Sequence, residues 1–409
     1  MDRGKILLMI FDGLGDRPVA ELGHRTPLQA ASKPNLDWFA AKGITGQLDP
    51  IAPGIRAGSD TSHLALFGYD PREVYTGRGP FEAAGVGIAV RPGDIAFRAN
   101  FCTVDGEGRV IDRRAGRIRG GTDELAAAID GLHLADVDVL FRAGTEHRGA
   151  LVLRGAGLSP AVTDTDPHEE GRSVLESRPL DEGARKTADT VNRLTREVSR
   201  LLGNHPVNRA RQRAGEKAAN MVVLRGAGVV PKLSPIGEKY GLKAAGVAGV
   251  GLIKGICRAI GMDVLDVPGA TGGLDTDMDA KAKAALAALR ENDLVIVNVK
   301  AADICGHDGL AKEKVRVVEQ IDRMMATVRR DLPHDVVLAA TADHATPVEL
   351  RDHSGDPVPV LVYGPTVLAD GVKRFDETAV MAGGIGRIRG TDLLPILLGA
   401  ANRGEKYGA

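Results

Sequence analysis

Short apolar runs that each stop at an aspartate or a histidine constrain this chain more than any other feature. Ile6-Leu-Leu-Met-Ile-Phe11 runs into Asp12, and Leu294-Val-Ile-Val-Asn-Val299 is followed by Asp303 and His307. Val336-Val-Leu-Ala-Ala340 leads to Asp343 and His344, with His353 shortly beyond. A continuous apolar run of this length reads as a strand covered on both faces, as in parallel sheets. Open α/β folds keep their sites beyond the carboxyl ends of such strands. The runs alternate with helical patterns. Strand 5–11, helix 27–42 and strand 44–50 precede a helix from Ser59. After about residue 215, strands begin near 221, 243, 264, 294 and 336, with helices 235–241, 250–261, 277–290 and 310–330 between them. The predicted fold class is α/β, a mainly parallel sheet with helices on both faces.

The alternation fails between residues 93 and 215. Asp94-Ile-Ala-Phe97 alternates with period two, and Val137–Arg142 and Ala150–Arg154 are short strand-like runs among polar turns and two helices. This stretch reads as a smaller α+β domain, 93–215, inserted into a catalytic domain split between 1–92 and 216–409. At 409 residues the chain is long enough for both. The joins suggest hinges at Arg91-Pro92-Gly93 and Arg213–Gly215.

With 53 basic and 54 acidic residues, bulk charge favours neither nucleic acid nor a membrane surface as partner. Five arginines between Arg109 and Arg119 lack interleaved aromatics and read as a solvated loop face. Three cysteines, Cys102, Cys257 and Cys305, form no CxxC pair, which fits a reducing cytosol. No segment approaches the ~20 apolar residues of a membrane span, so a soluble, cytoplasmic protein is expected. Oligomeric state is not readable from the sequence.

Asp303 and His307, four residues apart, can close on one ion, with Gly306 between them for a sharp bend. Asp343 and His344 are adjacent at a strand end, so their side chains diverge and can serve two ions. With Asp12 and His353, these donors suffice for two divalent cations and point to phosphoryl transfer. Ser59 opens a helix and is either a routine N-cap or a nucleophile activated by a metal. His63, one turn later, either orients Ser59 or packs on the helix. Gly246–Gly251 has the wrong spacing for a dinucleotide fingerprint. Gly383–Gly390 reads as a basic, flexible loop beside the site.

MIFDGLGDRP, GSDTSHLALFGYDP, GTEHRGALVLRG, TDTDPH, HPVN, GLIKGI, ADICGHDG, TADHATP and GGIGRIRGTD, spread from residue 6 to about 395, resemble the archaeal-type, cofactor-independent phosphoglycerate mutases of the alkaline phosphatase superfamily. The resemblance implies a glycolytic and gluconeogenic isomerase that interconverts 3- and 2-phosphoglycerate through phosphoserine at Ser59, without 2,3-bisphosphoglycerate. It implies one ion on Asp303, His307 and His353 and another on Asp12, Asp343, His344 and Ser59. Mn²⁺ is expected, with Zn²⁺, Co²⁺ or Mg²⁺ as alternatives. The inserted domain becomes a substrate-binding lid. His147 and Arg148 in that domain, and Arg225 and Lys254 in the catalytic domain, are candidates for substrate anions, and Asp164 or Asp166 in the inserted domain the candidate general base. A metal-dependent phosphatase, or a mutase or hydrolase of a related phosphonate, would use the same metals and Ser59.

Overall fold

The computed structural model describes residues 3–406 and 408. The chain divides into two compact units, one of residues 1–74 and 233–409 and the other of 75–232. In chain order the strands are β1 (Lys5–Phe11), β2 (Ile44–Asp49), β3 (Ile95–Val104), β4 (Val110–Asp112), β5 (His133–Leu134), β6 (Val137–Ala143), β7 (Arg148–Arg154), β8 (Met221–Gly228), β9 (Ala244–Val247), β10 (Asp263–Val264), β11 (Leu294–Val299), β12 (Val336–Thr341), β13 (Val358–Tyr363) and β14 (Gly386–Arg389).

The first unit holds an eight-stranded sheet in the order β10-β9-β11-β1-β12-β13-β2-β14. Every pairing is parallel except the two made by β13. All residues of β11 and β12, and all of β1 but Lys5, are buried, so both faces of the centre are covered. Helices Gly251–Ala259 and Met278–Ala288 pack on the β9 side, and Pro34–Lys42 packs on β13 and β2. Strands β11, β1 and β12, which precede the candidate ligands, are immediate neighbours, so their carboxyl ends deliver Asp303, Asp12 and Asp343 to one place.

Three details depart from the expectations. Helix 27–42 is two helices, Pro27–Ala30 and Pro34–Lys42, because proline disfavours helical geometry in the residue before it. A further helix, Ala301–Asp308, carries both Asp303 and His307. Residues 386–389 are not a loop but the edge strand β14, where Arg387 is tied to Asp49 at 2.7 Å.

The second unit is larger than the predicted insert. Helix Gly79–Gly85 packs on β3 and β7, and β8 pairs along most of β3, so residues 75–92 and 216–232 belong here. The boundaries therefore fall at 74/75 and 232/233, and the two proposed hinges lie inside this unit. Its sheet is antiparallel, in the order β4-β3-β7-β6-β5 with β8 also on β3. One face, through Phe97, Phe101, Leu151 and Leu224, packs on Val191, Leu194 and Val198 of helix Arg185–Gly203. Period-two alternation turns Arg98, Asn100 and Arg148 to the opposite face.

Candidate active site

In the first unit, three imidazoles are pinned so that one nitrogen of each is free. His353 Nδ1 donates to the Ala57 carbonyl at 2.8 Å and His307 Nδ1 to the Arg351 carbonyl at 3.1 Å. His344 Nδ1 meets Thr346 Oγ1 at 3.1 Å, and that hydroxyl donates to Asp303 Oδ1 at 2.8 Å. The hydroxyl has one proton, so it must accept from His344 Nδ1–H. In all three rings the Nε2 lone pair is left for a Lewis acid, the usual arrangement of a metal-binding histidine.

Those lone pairs converge. Asp303 Oδ1 lies 3.5 Å from both His307 Nε2 and His353 Nε2, which are 3.3 Å from each other. Ligand atoms about 2.1 Å from a four-coordinate ion stand about 3.4 Å apart. A second set surrounds His344 Nε2, with Ser59 Oγ at 3.1 Å, Asp343 Oδ2 at 3.3 Å and Asp12 Oδ1 at 3.6 Å. His344 stacks on His353 with ring centroids 3.6 Å apart, so the two sets are contiguous. Among the described residues Asp343 Oδ2 is buried without any hydrogen-bond partner, an expensive state for a carboxylate oxygen unless a cation meets it. Burial and the nearby Asp343 charge push the Asp12 carboxyl above its ordinary range. The donor set fits divalent ions.

Ser59 is not the helix cap. Gly58 occupies that position, and Ser59 is the first residue of helix Ser59–Leu66, its hydroxyl free to face His344. His63 is a fastener: its Nδ1 donates to the Ser59 carbonyl at 2.7 Å, while the Asn298 amide lies 3.3 Å from Nε2. Gly306 serves close approach rather than a bend, since it sits within a helix and a Cβ there would meet the Thr346 carbonyl at 2.3 Å. Gly13 combines both needs, with φ +65° and Asp303 Cα 2.6 Å from where a Cβ would be.

Two participants escaped the sequence reading. Thr346 joins His344 to Asp303, and its only sequence signal is a position two residues past a ligand. Lys300 reaches Asp12 Oδ1 at 3.1 Å and Asp303 Oδ2 at 2.7 Å. Burial works against its charge, but Asp12 and Asp303 outweigh this and raise its pKa. Its spacing, one helical turn before Asp303, was the available signal. Lys254 is half-buried on helix Gly251–Ala259, which packs on helix Ser59–Leu66.

In the second unit, Arg98 on β3 stands opposite Arg225 on β8, and Arg148 on β7 is opposite Asn100. Arg98 is only 8% exposed. Burial, then the charge of Arg78, pulls it well below the usual guanidinium value. Glu82 takes Arg78 at 2.8 Å and lies 3.6 Å from Arg98. Asp166 takes Arg113 at 2.9 Å and lies 3.8 Å from Arg225. Four guanidiniums thus share two carboxylates. Among the described residues, Nε of Arg113, Arg148 and Arg225 and Nδ1 of His147 are buried without hydrogen-bond partners. Burial, Arg148 and Arg98 lower His147 to about 3, so the ring is neutral. Arg113, Arg114, Arg117 and His168 also line a cavity of about 420 Å³. The loop around Arg113 is therefore not simply a solvated face, although Arg109 and Arg119 are exposed there. Asp164 accepts the Gly226 amide at 2.9 Å and has His168 Nε2 3.5 Å away.

The family model for 2,3-bisphosphoglycerate-independent phosphoglycerate mutase matches residues 40–208. The protein of that name from Methanothermobacter thermautotrophicus is 50% identical, over 99% of this chain and 100% of that one. Its namesake from Methanosphaera stadtmanae is 51% identical, over 99% and 100%. Among solved structures, a Pyrococcus horikoshii protein superposes with a TM-score of 0.88 at 39% identity, covering 100% of both chains. The cofactor-independent phosphoglycerate mutase of Thermoplasma acidophilum gives 0.69 at 41%, covering 97% of this chain and 100% of that one.

Proposed function

The chain belongs to the 2,3-bisphosphoglycerate-independent phosphoglycerate mutases, isomerases of 3- and 2-phosphoglycerate, and on that premise we propose that Ser59 carries the phosphoryl group between the two hydroxyls of glycerate. The observation that carries this reading is the Ser59 hydroxyl 3.1 Å from His344 Nε2, where the two converging ligand sets meet. Asp303, His307 and His353 hold one divalent ion, and Asp12, Asp343 and His344, with Ser59, hold the other. Mixed carboxylate and imidazole donors suit Mn²⁺ or Zn²⁺ over Ca²⁺, and the family tips the choice to Mn²⁺. When bound, the ions supply positive charge that stabilises the transferring phosphoryl group and acidifies the serine hydroxyl.

The chain's own residues do the rest. Ser59 Oγ bonds to phosphorus as the bond from phosphorus to one glycerate oxygen breaks, and that oxygen takes a proton. The phosphoserine then passes the group to the other glycerate hydroxyl, which gives up its proton. Asp166 is committed to Arg113 and Arg225, and the Arg113 hydrogen bond keeps it ionised despite burial. Asp164, carrying no guanidinium contact, is the better base. The orphaned N–H groups of Arg113, Arg148 and Arg225 suit the carboxylate and phosphate of the substrate. Lys254 is an additional candidate for a substrate anion.

The test is ³¹P NMR of the manganese-loaded protein with 3-phosphoglycerate and no 2,3-bisphosphoglycerate. A mixture of 3- and 2-phosphoglycerate that requires the metal and vanishes in Ser59→Ala is expected. Accumulation of inorganic phosphate instead would mean a phosphatase. Unimpaired turnover by Ser59→Ala would remove Ser59 as carrier.

A further inference from the structure

Lys300 has chemistry that the ligand sets alone do not use. Its ammonium has three N–H bonds. Two are spent: one is shared between Asp12 Oδ1 and Oδ2, at 3.1 and 3.2 Å, and one goes to Asp303 Oδ2 at 2.7 Å. The third has no protein acceptor among the described residues, and the side chain is 14% exposed rather than sealed. Lys300 thus does not take the oxygen that Asp303 turns toward His307 and His353, which is Oδ1. It takes the other one, and so ties an aspartate of the first ligand set to an aspartate of the second.

The charge balance gives that third N–H a purpose. Asp12, Asp303 and Asp343 bring three negative charges, and an imidazole that ligates an ion through Nε2 brings none. Two divalent ions would leave one positive charge in the site. Lys300 makes it two, which matches a phosphate monoester dianion. A carboxylate cluster satisfied by ions alone would have no need of a buried ammonium. One that must also hold a dianion does.

We propose that Lys300 is a phosphoryl-binding residue, donating its third N–H to a non-bridging oxygen of the transferring group while it locks Asp12 to Asp303. This rests on the two-ion reading of the site. An ammonium aimed at an oxygen that gains charge during transfer stabilises both substrate and transition state.

The experiment uses the full-length chain loaded with Mn²⁺, in wild type, Lys300→Met and Lys300→Gln. Ion stoichiometry is read from the electron paramagnetic resonance of free Mn²⁺, and inorganic phosphate affinity from calorimetry. Both variants are expected to hold two ions, and phosphate affinity should fall roughly 10- to 100-fold in each, the range for one hydrogen bond involving a charged group. Phosphate affinity within twofold of wild type, in a variant that keeps two ions, overturns the proposal. So does loss of an ion in Lys300→Met with full recovery of ions and phosphate binding in Lys300→Gln, which would make the residue a mere strut. A wild-type chain that takes up fewer than two ions would instead bring down the two-ion reading, and this inference with it.

Discussion

Thr346 lets the metal centre be tested without touching any ligand. In Thr346→Val the side chain keeps its shape and loses one oxygen. Its backbone stays anchored, because the amide donates to the Gly15 carbonyl at 3.0 Å and the carbonyl accepts Lys314 at 2.9 Å. What disappears is the acceptor for His344 Nδ1–H and a donor to Asp303 Oδ1. His344 is then free to carry its proton on Nε2, the atom that faces Ser59 and Asp343, and a protonated nitrogen cannot ligate. Loss of such an outer-shell partner costs about 10- to 100-fold in metal affinity, or about 1.4–2.8 kcal/mol. The metal-free fold should separately lose about 1–3 kcal/mol, since a buried N–H is left unsatisfied. Mn²⁺ calorimetry on the folded variant gives the first quantity and urea unfolding in chelator the second. Thr346→Ser, which keeps the hydroxyl, should bind ions close to wild type. If Thr346→Val bound Mn²⁺ as tightly as the parent while losing stability, the tautomer argument would be wrong and Thr346 would be packing only.

Two further outcomes follow from buried charge. Asp343→Asn replaces the orphaned buried oxygen with an amide and relieves the repulsion that lifts Asp12. The metal-free variant should melt higher than metal-free wild type by calorimetry, yet titrate with one ion fewer; a lower melting temperature would contradict the strain argument. His147 is held neutral in the fold, near 3, against an ordinary value of 6.5. Between those values the unfolded chain binds a proton that the folded one does not, so stability falls as pH drops below about 6.5, by up to about 1.4 kcal/mol per pH unit. Urea unfolding at pH 7 and pH 5 should show that part of the slope vanish in His147→Asn, and an unchanged slope would place the ring's proton elsewhere.

Much of the candidate centre was legible because its candidate ligands are local features at or just beyond strand ends. A buried strand announces itself by a run of apolar residues, and the polar residue that ends the run must sit at the sheet edge. Asp12, Asp343 and His344 follow from that rule, Asp303 lies in the helix that begins just beyond β11, and the expectation of an α/β sheet with an inserted α+β unit comes from where the alternation stops. The unit boundaries were misjudged for a physical reason: β8 joins the inserted unit through pairing with β3, a contact that spans more than a hundred residues and leaves no local mark. The arginine row was hidden in the same way. Arg98, Arg148 and Arg225 are ordinary charges in three separate segments, and only the β3–β7 and β3–β8 registers bring them onto one face.

Sequence by itself therefore determined the kind of sheet, the candidate ligand residues and the candidate nucleophile, because each depends on residue type and short-range spacing. Tertiary structure alone decided which nitrogen of each histidine is free, which oxygen of Asp303 faces the imidazoles and which faces Lys300, and how four guanidiniums come to share two carboxylates. Most of those choices are set by hydrogen bonds and strand pairings between residues tens to hundreds of positions apart, and the few made by near neighbours, such as His344 with Thr346, depend on where the fold aims the side chains, so a linear pattern carries no record of them.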